Sequence, residues 1–185
     1  MSSDLTGTLP ARERSRMRAR IVPCLVGRAP ASATPLAALR SAGGATAVLL
    51  ALAAIGARVH EPVLIPPLAA SAAIIHNLPG LPLAQPRSVI AGHLLCSGAG
   101  YGALAALGST AWAAAIAAGV GLALTTIARA PHSPACATAV VIVLRTPGPK
   151  VFVPLLAGST VLLVLAGYAL SRTRSGSPRY PVYWW

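Results

Sequence analysis

The stretch APHSPACATAV, at residues 130–140, places several chemically active side chains in an otherwise apolar part of the chain. His132 can take up a proton near neutral pH, and the hydroxyl of Thr138 both donates and accepts hydrogen bonds. Pro134 suits the first turn of a helix, where the backbone donor that it lacks would have no partner. These residues predict a polar site at a helix start, where free backbone amides favour an anion.

The elements that must position this site are long apolar segments. Hydrophobic residues make up 55% of the 185 residues and charged residues only 10%, compared with about 25% charged residues in typical soluble domains. Four apolar blocks, of 17, 19, 19 and 20 residues, lie at 41–57, 89–107, 110–128 and 151–170. Because a membrane-crossing helix needs about 20 apolar residues, the sequence predicts an all-α polytopic membrane protein with four full spans.

Two halves of the chain carry similar motifs in the same order, although an Ala- and Leu-rich composition also produces such matches by chance. Five pairs match: ALAAIGAR (51–58) with ALTTIAR (123–129), His60 with His132 two or three residues later, PLAASAAII (67–75) with PACATAVVI (134–142), QPR (85–87) with GPK (148–150), and AGYGAL (99–104) with AGYAL (166–170). They predict an internal two-fold repeat, with repeat one at 41–107 and repeat two at 110–170. Each repeat contains a Pro-opened segment of 12 residues, 67–78 or 134–145. As helices these segments are about 18 Å long, too short for a hydrocarbon core of about 30 Å.

The two short segments are predicted to build the binding site. Half-helices that begin at Pro67 and Pro134 would direct two positive helix ends into the protein. Ser71 and Thr138 would follow one turn later, and His132 would precede the second half-helix. Short Pro-interrupted segments at matching positions of two halves are typical of transporter binding sites. The predicted substrate-binding residues, including three that would line the access path, are His132, Pro134, Thr138, Pro67, Ser71, Gln85, Arg87 and His93.

Each feature also has an ordinary structural interpretation. The short segments are alternatively interfacial loops of a plain four-helix protein. His132 alternatively bonds only a backbone carbonyl, and Gln85 only the backbone of a turn. The functional interpretation rests on the convergence of these residues at matched positions of the two halves.

Basic residues indicate how the chain lies in a membrane. The net charge is +12, and ten of the fifteen basic residues lie before residue 41 or after residue 170. Because cytoplasmic segments are enriched in Arg and Lys, we expect both termini to be cytoplasmic, with a basic disordered tail at 1–40 and an aromatic tail at 171–185. If the short segments cross fully, twelve basic residues lie inside and three outside; if they re-enter, the counts are ten and five. The charge rule favours crossing, whereas the segment length favours re-entry.

Partners are suggested by the same placement of charge. Basic residues that flank spans, without interleaved aromatic residues, are not typical of nucleic-acid binding. We therefore expect the lipid bilayer of the plasma membrane and a small inorganic anion as partners. Gly98 and Gly102 form a GxxxG step that permits close helix contact, either within the bundle or in a homo-oligomer.

Three stretches resemble the HPP family of small integral membrane proteins: PLAQPRSVIAGHLLCSGAG (82–100), HSPACATAV (132–140) and the terminal RYPVYWW. The His-Pro-Pro tripeptide that names the family appears here as His132-Ser133-Pro134, and Cys136 stands where a glycine is usual. The resemblance covers roughly residues 36–185. It implies four spans, and it implies nitrite transport, in which plant and cyanobacterial relatives are implicated.

These observations together predict a transporter or channel for a small inorganic anion, with nitrite first. The alternatives are a membrane redox or haem protein that uses histidine pairs, and a structural or regulatory membrane module that transports nothing. We expect no enzymatic activity, because the few polar residues assemble no nucleophile with a base and no paired carboxylates. No metal or cofactor is expected either.

Overall fold

Six α-helices and one short 3-10 helix account for most of residues 32–173 and 179–184, which are the residues that the computed structural model describes. The helices are α1 (Pro35–Val59), α2 (Pro66–Asn77), α3 (Pro86–Leu107), α4 (Ala111–Ile127), α5 (Ser133–Arg145) and α6 (Pro149–Arg172), with the 3-10 helix at Pro82–Ala84. These described ranges contain no strand. The prediction of an all-α protein is therefore confirmed. The prediction of a disordered basic tail falls mainly on residues 1–31, outside the described ranges.

Local sequence sets the helix boundaries. Proline lies in the first turn of five helices, α1, α2, α3, α5 and α6, where its missing donor costs nothing. The exception is α4, whose N-cap Thr110 accepts a hydrogen bond from the Ala113 amide at 3.1 Å. Left-handed residues follow two of the longer helices, His60 (φ 57°) after α1 and Arg129 (φ 53°) after α4. The chain can therefore reverse its direction within a few residues after α1 and after α4.

Helix lengths follow the order long, short, long twice along the chain. By length and apolar composition, α1, α3 and α6 are able to cross a membrane, with 25, 22 and 24 residues. At 17 residues α4 is about 26 Å long, and it occupies the block predicted as a fourth full span. The short helices α2 and α5 have 12 and 13 residues and begin one residue before the predicted segments. The first helix starts at Pro35, six residues earlier than the predicted block 41–57.

Successive helices run in opposite directions. Ser41 near the start of α1 donates to the carbonyl of His76 at the end of α2 (2.9 Å). The Val182 amide, beyond the end of α6, donates to Gln85 Oε1 at the start of α3 (2.8 Å). The start of α1 and the end of α6 therefore lie at one end of the bundle, which we call the N/C end, and the opposite end is the distal end.

Small residues let α3 pack closely against α4 and α5. A Cβ added to Gly100 would lie 3.0 Å from the Cα and 3.1 Å from the carbonyl oxygen of Ala139 in α5. One added to Gly121 of α4 would lie 2.8 Å from Cys96 Sγ. The core between these three helices is accordingly rich in alanine, whereas larger aliphatic residues fill the space between α1, α2 and α6.

The predicted GxxxG step lies elsewhere on α3. A Cβ added to Gly98 or Gly102 would meet no atom within 4 Å, and both residues are exposed. Within the bundle that the structure describes, this step therefore makes no close helix contact. Contact with a second protomer stays a prediction.

The C-terminal residues 179–184 fold back onto the helices. Tyr180 is 2% exposed and packs beside Gly167, and its carbonyl accepts a hydrogen bond from Ser171 Oγ at 2.9 Å. Burial raises the pKa of the Tyr180 phenol. The ring of Trp184 lies 6.1 Å from that of Tyr168. Part of the predicted aromatic tail is thus packed against the N/C end of the bundle.

The contrast between Gly100 and Gly102 gives the first prediction. Gly100→Ala should lower the free energy of unfolding by about 1–3 kcal/mol, because its methyl group would press on the backbone of α5. Gly102→Ala should be neutral or stabilise by up to about 1 kcal/mol, because alanine favours helix and the site is open. Thermal unfolding in detergent measures both variants. Equal stability of the two would contradict the close approach at Ala139.

Candidate functional site

Four of the predicted site residues form one hydrogen-bonded group, which we call the histidine cluster: Ser71, His93, His132 and Thr138. Ser71 Oγ lies 2.9 Å from His93 Nε2 and 2.8 Å from His132 Nε2. His93 Nδ1 lies 2.8 Å from Thr138 Oγ1. The centroids of the two imidazole rings are 5.1 Å apart, and all four residues are at most 2% exposed. Polar side chains from three helices therefore meet in an apolar interior.

Each member of the histidine cluster is positioned by its own element. Ser71 lies in the second turn of α2, with its Oγ 2.9 Å from the carbonyl oxygen of Pro67. His93 lies in the second turn of α3, and His132 is the N-cap residue of α5. The side chain of His132 fits because α3 has Gly92 at the crossing, where an added Cβ would lie 2.9 Å from the His132 Cβ.

A backbone carbonyl fixes the orientation of His132. Its Nδ1 donates to the carbonyl oxygen of Leu83 in the 3-10 helix at 2.7 Å. A carbonyl oxygen can only accept, so Nδ1 carries a hydrogen and Nε2 is the nitrogen that faces Ser71. The structural interpretation of His132 as a carbonyl donor is therefore correct for one nitrogen, while the other nitrogen belongs to the histidine cluster.

The two short helices do not direct their starts to one place. Pro134 lies in the first turn of α5, next to His132, so the α5 start lies at the histidine cluster. Pro67 lies in the first turn of α2, one turn before Ser71 and nearer the distal end. The start of α5 and the second turn of α2 therefore lie at the histidine cluster. The sequence predicted instead that the starts of both short helices meet there.

Gln85 and Arg87 lie outside the histidine cluster and hold connections at the N/C end. Gln85 Nε2 donates to the carbonyls of Pro79 and Leu81, each at 2.9 Å, while its Oε1 accepts from the Val182 amide at 2.8 Å. Arg87 donates to the carbonyl of Ala128 just after α4 at 2.8 Å. Gln85 therefore does bond the backbone of a turn, and it also fastens the C-terminal residues.

Sequence reasoning missed two contributors, the Leu83 carbonyl and Gly92. A backbone carbonyl carries no signature in the side-chain pattern, so Leu83 could not be found. Gly92 directly precedes His93, and its small size was the one available signal. Within the described ranges, no three His, Cys, Asp or Glu side chains come together as metal ligands.

A cavity of about 720 Å³ opens at the distal end. It lies among the α1–α2 connection, the start of α2, the end of α5 and the start of α6, and Glu61 and Arg145 are its charged lining residues. Leu68, Val141 and Leu156 belong to its apolar wall. Because Leu68 and Val141 lie three residues from Ser71 and Thr138 on their helices, the cavity ends about one helical turn from the histidine cluster.

The hydroxyl of Ser71 should be needed for stability. Ser71→Ala removes the hydroxyl that contacts the buried Nε2 atoms of His93 and His132, so it should destabilise the fold by about 1–3 kcal/mol. Ser159→Ala is the matched control, because Ser159 is also buried but bonds only the Leu155 carbonyl of its own helix (2.6 Å). Denaturant unfolding in detergent compares them, and equal losses would mean that the histidine cluster adds nothing to stability.

Comparison with known proteins places the chain in a family. The family model for the HPP transmembrane region matches residues 30–181. One similar protein, a transmembrane protein of Dictyostelium discoideum, is 38% identical over 132 residues, which are 66% of this chain and 46% of that protein. A second transmembrane protein of that organism is 32% identical over 126 residues, 63% of this chain and 40% of that protein.

The chain spans less than half the length of these curated relatives. No solved structure matches it. The apolar helices able to cross a membrane agree with the description of both relatives as transmembrane proteins. The family match covers most of the chain and includes every residue of the histidine cluster. This chain belongs to the HPP family of transmembrane proteins.

Proposed function

We propose that this membrane protein is a transporter or channel for a small inorganic anion, with nitrite as the first candidate. The observation that carries the proposal is the histidine cluster, in which Ser71 Oγ lies within 2.9 Å of two imidazole nitrogens inside an apolar bundle. Polar groups in an apolar interior are costly unless they are hydrogen-bonded, and ionisable side chains inside membrane proteins commonly mark ion pathways. Nitrite is the anion that membership of the HPP family suggests.

The hydrogen-bond donors of the histidine cluster indicate that the substrate is negatively charged. Ser71, Thr138 and the two histidines offer O–H and N–H groups, and the start of α5 adds free amides and a partial positive charge. Glu61 is the one carboxylate side chain in the described ranges, and it lies at the cavity rather than at the histidine cluster. The histidine cluster therefore suits an anion and offers a cation no carboxylate ligand.

The cavity supplies a route to this site. An anion would enter at the distal end, between Glu61 and Arg145, and reach the wall formed by Leu68, Val141 and Leu156. Movement of that wall by about one helical turn would join the cavity to the histidine cluster. In this scheme Ser71, His93, His132 and Thr138 bind the anion, while Pro67 and Pro134 fix the helix starts.

Topology belongs to the same proposal. Four long helices, α1, α3, α4 and α6, would span the plasma membrane, and the short helices α2 and α5 would carry the chain back across it, so that the halves α1–α3 and α4–α6 would form an inverted repeat. The N/C end would face the cytoplasm, because Arg40, Arg87, Arg129 and Arg172 lie there, whereas Arg58, Arg145 and Lys150 lie at the distal end. Gln85 and Arg87 would then border the cytoplasmic side of the path. The protein would act without enzymatic chemistry, and a homo-oligomer would use the exposed face of α3.

Thr138→Val tests the binding role directly. It keeps the shape of the side chain and removes the hydroxyl, and a hydrogen bond to a charged group contributes about 1.5–3 kcal/mol. Anion affinity should therefore fall roughly ten-fold or more. Stopped-flow uptake into proteoliposomes, with nitrite, nitrate, formate, chloride and bicarbonate compared, measures this change. Thr160→Val is the matched control, because Thr160 is equally buried but bonds only the Ala157 carbonyl of its own helix.

The outcomes separate the candidate functions. Equal affinity in wild type and Thr138→Val would remove Thr138 from the site. Potassium flux comparable to anion flux would overturn the anion assignment. Absence of flux for every ion would favour a structural or regulatory module, and a Soret band in the purified protein would favour a haem protein.

The route gives a separate prediction. Leu68→Trp places a larger side chain on the inner wall of the cavity, so it should slow anion uptake without changing the order of anion preference. Leu122→Trp, on the exposed face of α4, is the control and should leave uptake at the wild-type rate. If both variants transport equally fast, the anion does not pass through this cavity.

A further inference from the structure

The histidine cluster has more hydrogen-bond contacts than hydrogens when both imidazoles are neutral. Its five contacts are Thr138 with His93, His93 with Ser71, Ser71 with His132, Ser71 with the Pro67 carbonyl, and His132 with the Leu83 carbonyl. Each contact needs one hydrogen. The two hydroxyl groups and two neutral imidazoles supply one hydrogen each, which leaves one contact without a hydrogen.

A backbone carbonyl can only accept, and this determines which of the five contacts lacks a hydrogen. His132 Nδ1 donates to Leu83, so a neutral His132 has a lone pair on Nε2 and needs the Ser71 hydroxyl as its donor. Ser71 then accepts from His93 Nε2, and His93 Nδ1 accepts from Thr138. In this neutral state the hydrogens run in one direction from Thr138 to Leu83, and the Pro67 carbonyl receives none from the side chain of Ser71.

One added proton satisfies all five contacts. A proton that binds the lone pair of His132 Nε2 turns that nitrogen into a donor to Ser71 Oγ. The Ser71 hydroxyl then rotates and donates to the Pro67 carbonyl, 2.9 Å away, while Ser71 accepts from both histidines. Protonation of His93 instead would leave the contact between Ser71 Oγ and the Pro67 carbonyl without a hydrogen, since Ser71 would still have to donate to His132. The geometry therefore selects Nε2 of His132.

Protonated His132 carries a positive charge, which a nearby negative charge would stabilise. The titratable group that faces His132 is His93 of α3, which is neutral or positive. The other neighbours, Ser71 of α2, Thr138 of α5 and the Leu83 carbonyl of the 3-10 helix, carry no charge. Because an unpaired charge is costly in a dry interior, the imidazolium and a monovalent anion would stabilise each other, and each would favour entry of the other.

We propose that His132 Nε2 is a proton-binding site and that the protein moves one proton together with each anion. This inference rests on the proposed anion transport and names the co-substrate of the same site. On entry, a proton from the aqueous phase binds the Nε2 lone pair as the anion arrives, and the Ser71 hydroxyl turns to Pro67. On release, both leave and the Ser71 hydroxyl returns to His132, so that no net charge is transferred.

The transport test uses proteoliposomes that contain a pH-sensitive dye and a nitrite gradient at equal starting pH. We expect one proton per nitrite and a rate that does not respond to a potassium diffusion potential set with valinomycin. Nitrite also leaks across lipid as nitrous acid, so empty liposomes give the background. In His132→Asn, whose amide nitrogen takes the position of Nδ1 and can still donate to Leu83 but cannot bind a proton, the coupled acidification should fall to that background. His60→Asn is the control for removal of an exposed histidine.

A rate that follows the imposed potential, without acidification, would overturn proton coupling while supporting anion transport. If no anion enters at all, the proposed function fails, and the proton site is judged alone by nitrogen NMR of histidine-labelled protein in detergent. We then expect His132, assigned through His132→Asn, to gain a second N–H on acidification before His93 does. Protonation of His93 first, or of neither residue, would overturn the site.

Discussion

The contact between Ser71 and the two histidines constrains the fold more than any other interaction. Its donors and acceptors lie in an interior where an unsatisfied polar group costs about 1–3 kcal/mol. Three helices and the 3-10 helix must therefore hold their positions along one another to within hydrogen-bond distance. Proline in the first turn of α2 and α5 sets where those helices begin, and hence the depth at which Ser71 and His132 lie. The helix starts encoded in the sequence become the geometry of the site.

Close packing makes that geometry possible. Gly92 admits the His132 side chain, and Gly100 brings α3 against the backbone of α5 eight residues further along. In lipid the hydrophobic effect does not drive helices together, because the lipid tails are themselves apolar. Close backbone packing and interhelical hydrogen bonds are then the main sources of helix association. The same small residues thus hold α3 and α5 together and place His93 beside His132. Stability and the polar site depend on one interface.

Much of this arrangement follows from the sequence. The long hydrophobic blocks predict the long helices, because a helix must be about 20 residues long to cross a bilayer. The segments that begin with proline predict the bounds of α2 and α5 to within one residue. Ser71 and Thr138 were found because hydroxyls at matching positions of two segments stand out in an apolar chain. Gln85 and Arg87 are predicted to line the access path because their types allow it, yet Gln85 also bonds the Val182 amide and Arg87 bonds the Ala128 carbonyl, both distant in sequence. Such contacts depend on which loops meet, and no local pattern encodes that.

The two halves of the proposed repeat differ at the positions of the two histidines. Counted from Pro67 and Pro134, which the proposed repeat aligns, Ile65 takes the position of His132. Counted from QPR (85–87) and GPK (148–150), Leu156 takes that of His93, and both Ile65 and Leu156 line the distal cavity. The two histidines, nearer the N/C end, are therefore joined by hydrogen bonds, whereas the residues at the corresponding positions near the distal end are apolar and line an open cavity. Hydrogen bonds resist separation more than apolar contacts do in lipid, because each separated polar group must find a new partner there. A bound anion and proton can supply those partners for the histidine cluster, so opening at the N/C end would require the substrate, while opening at the distal end would not.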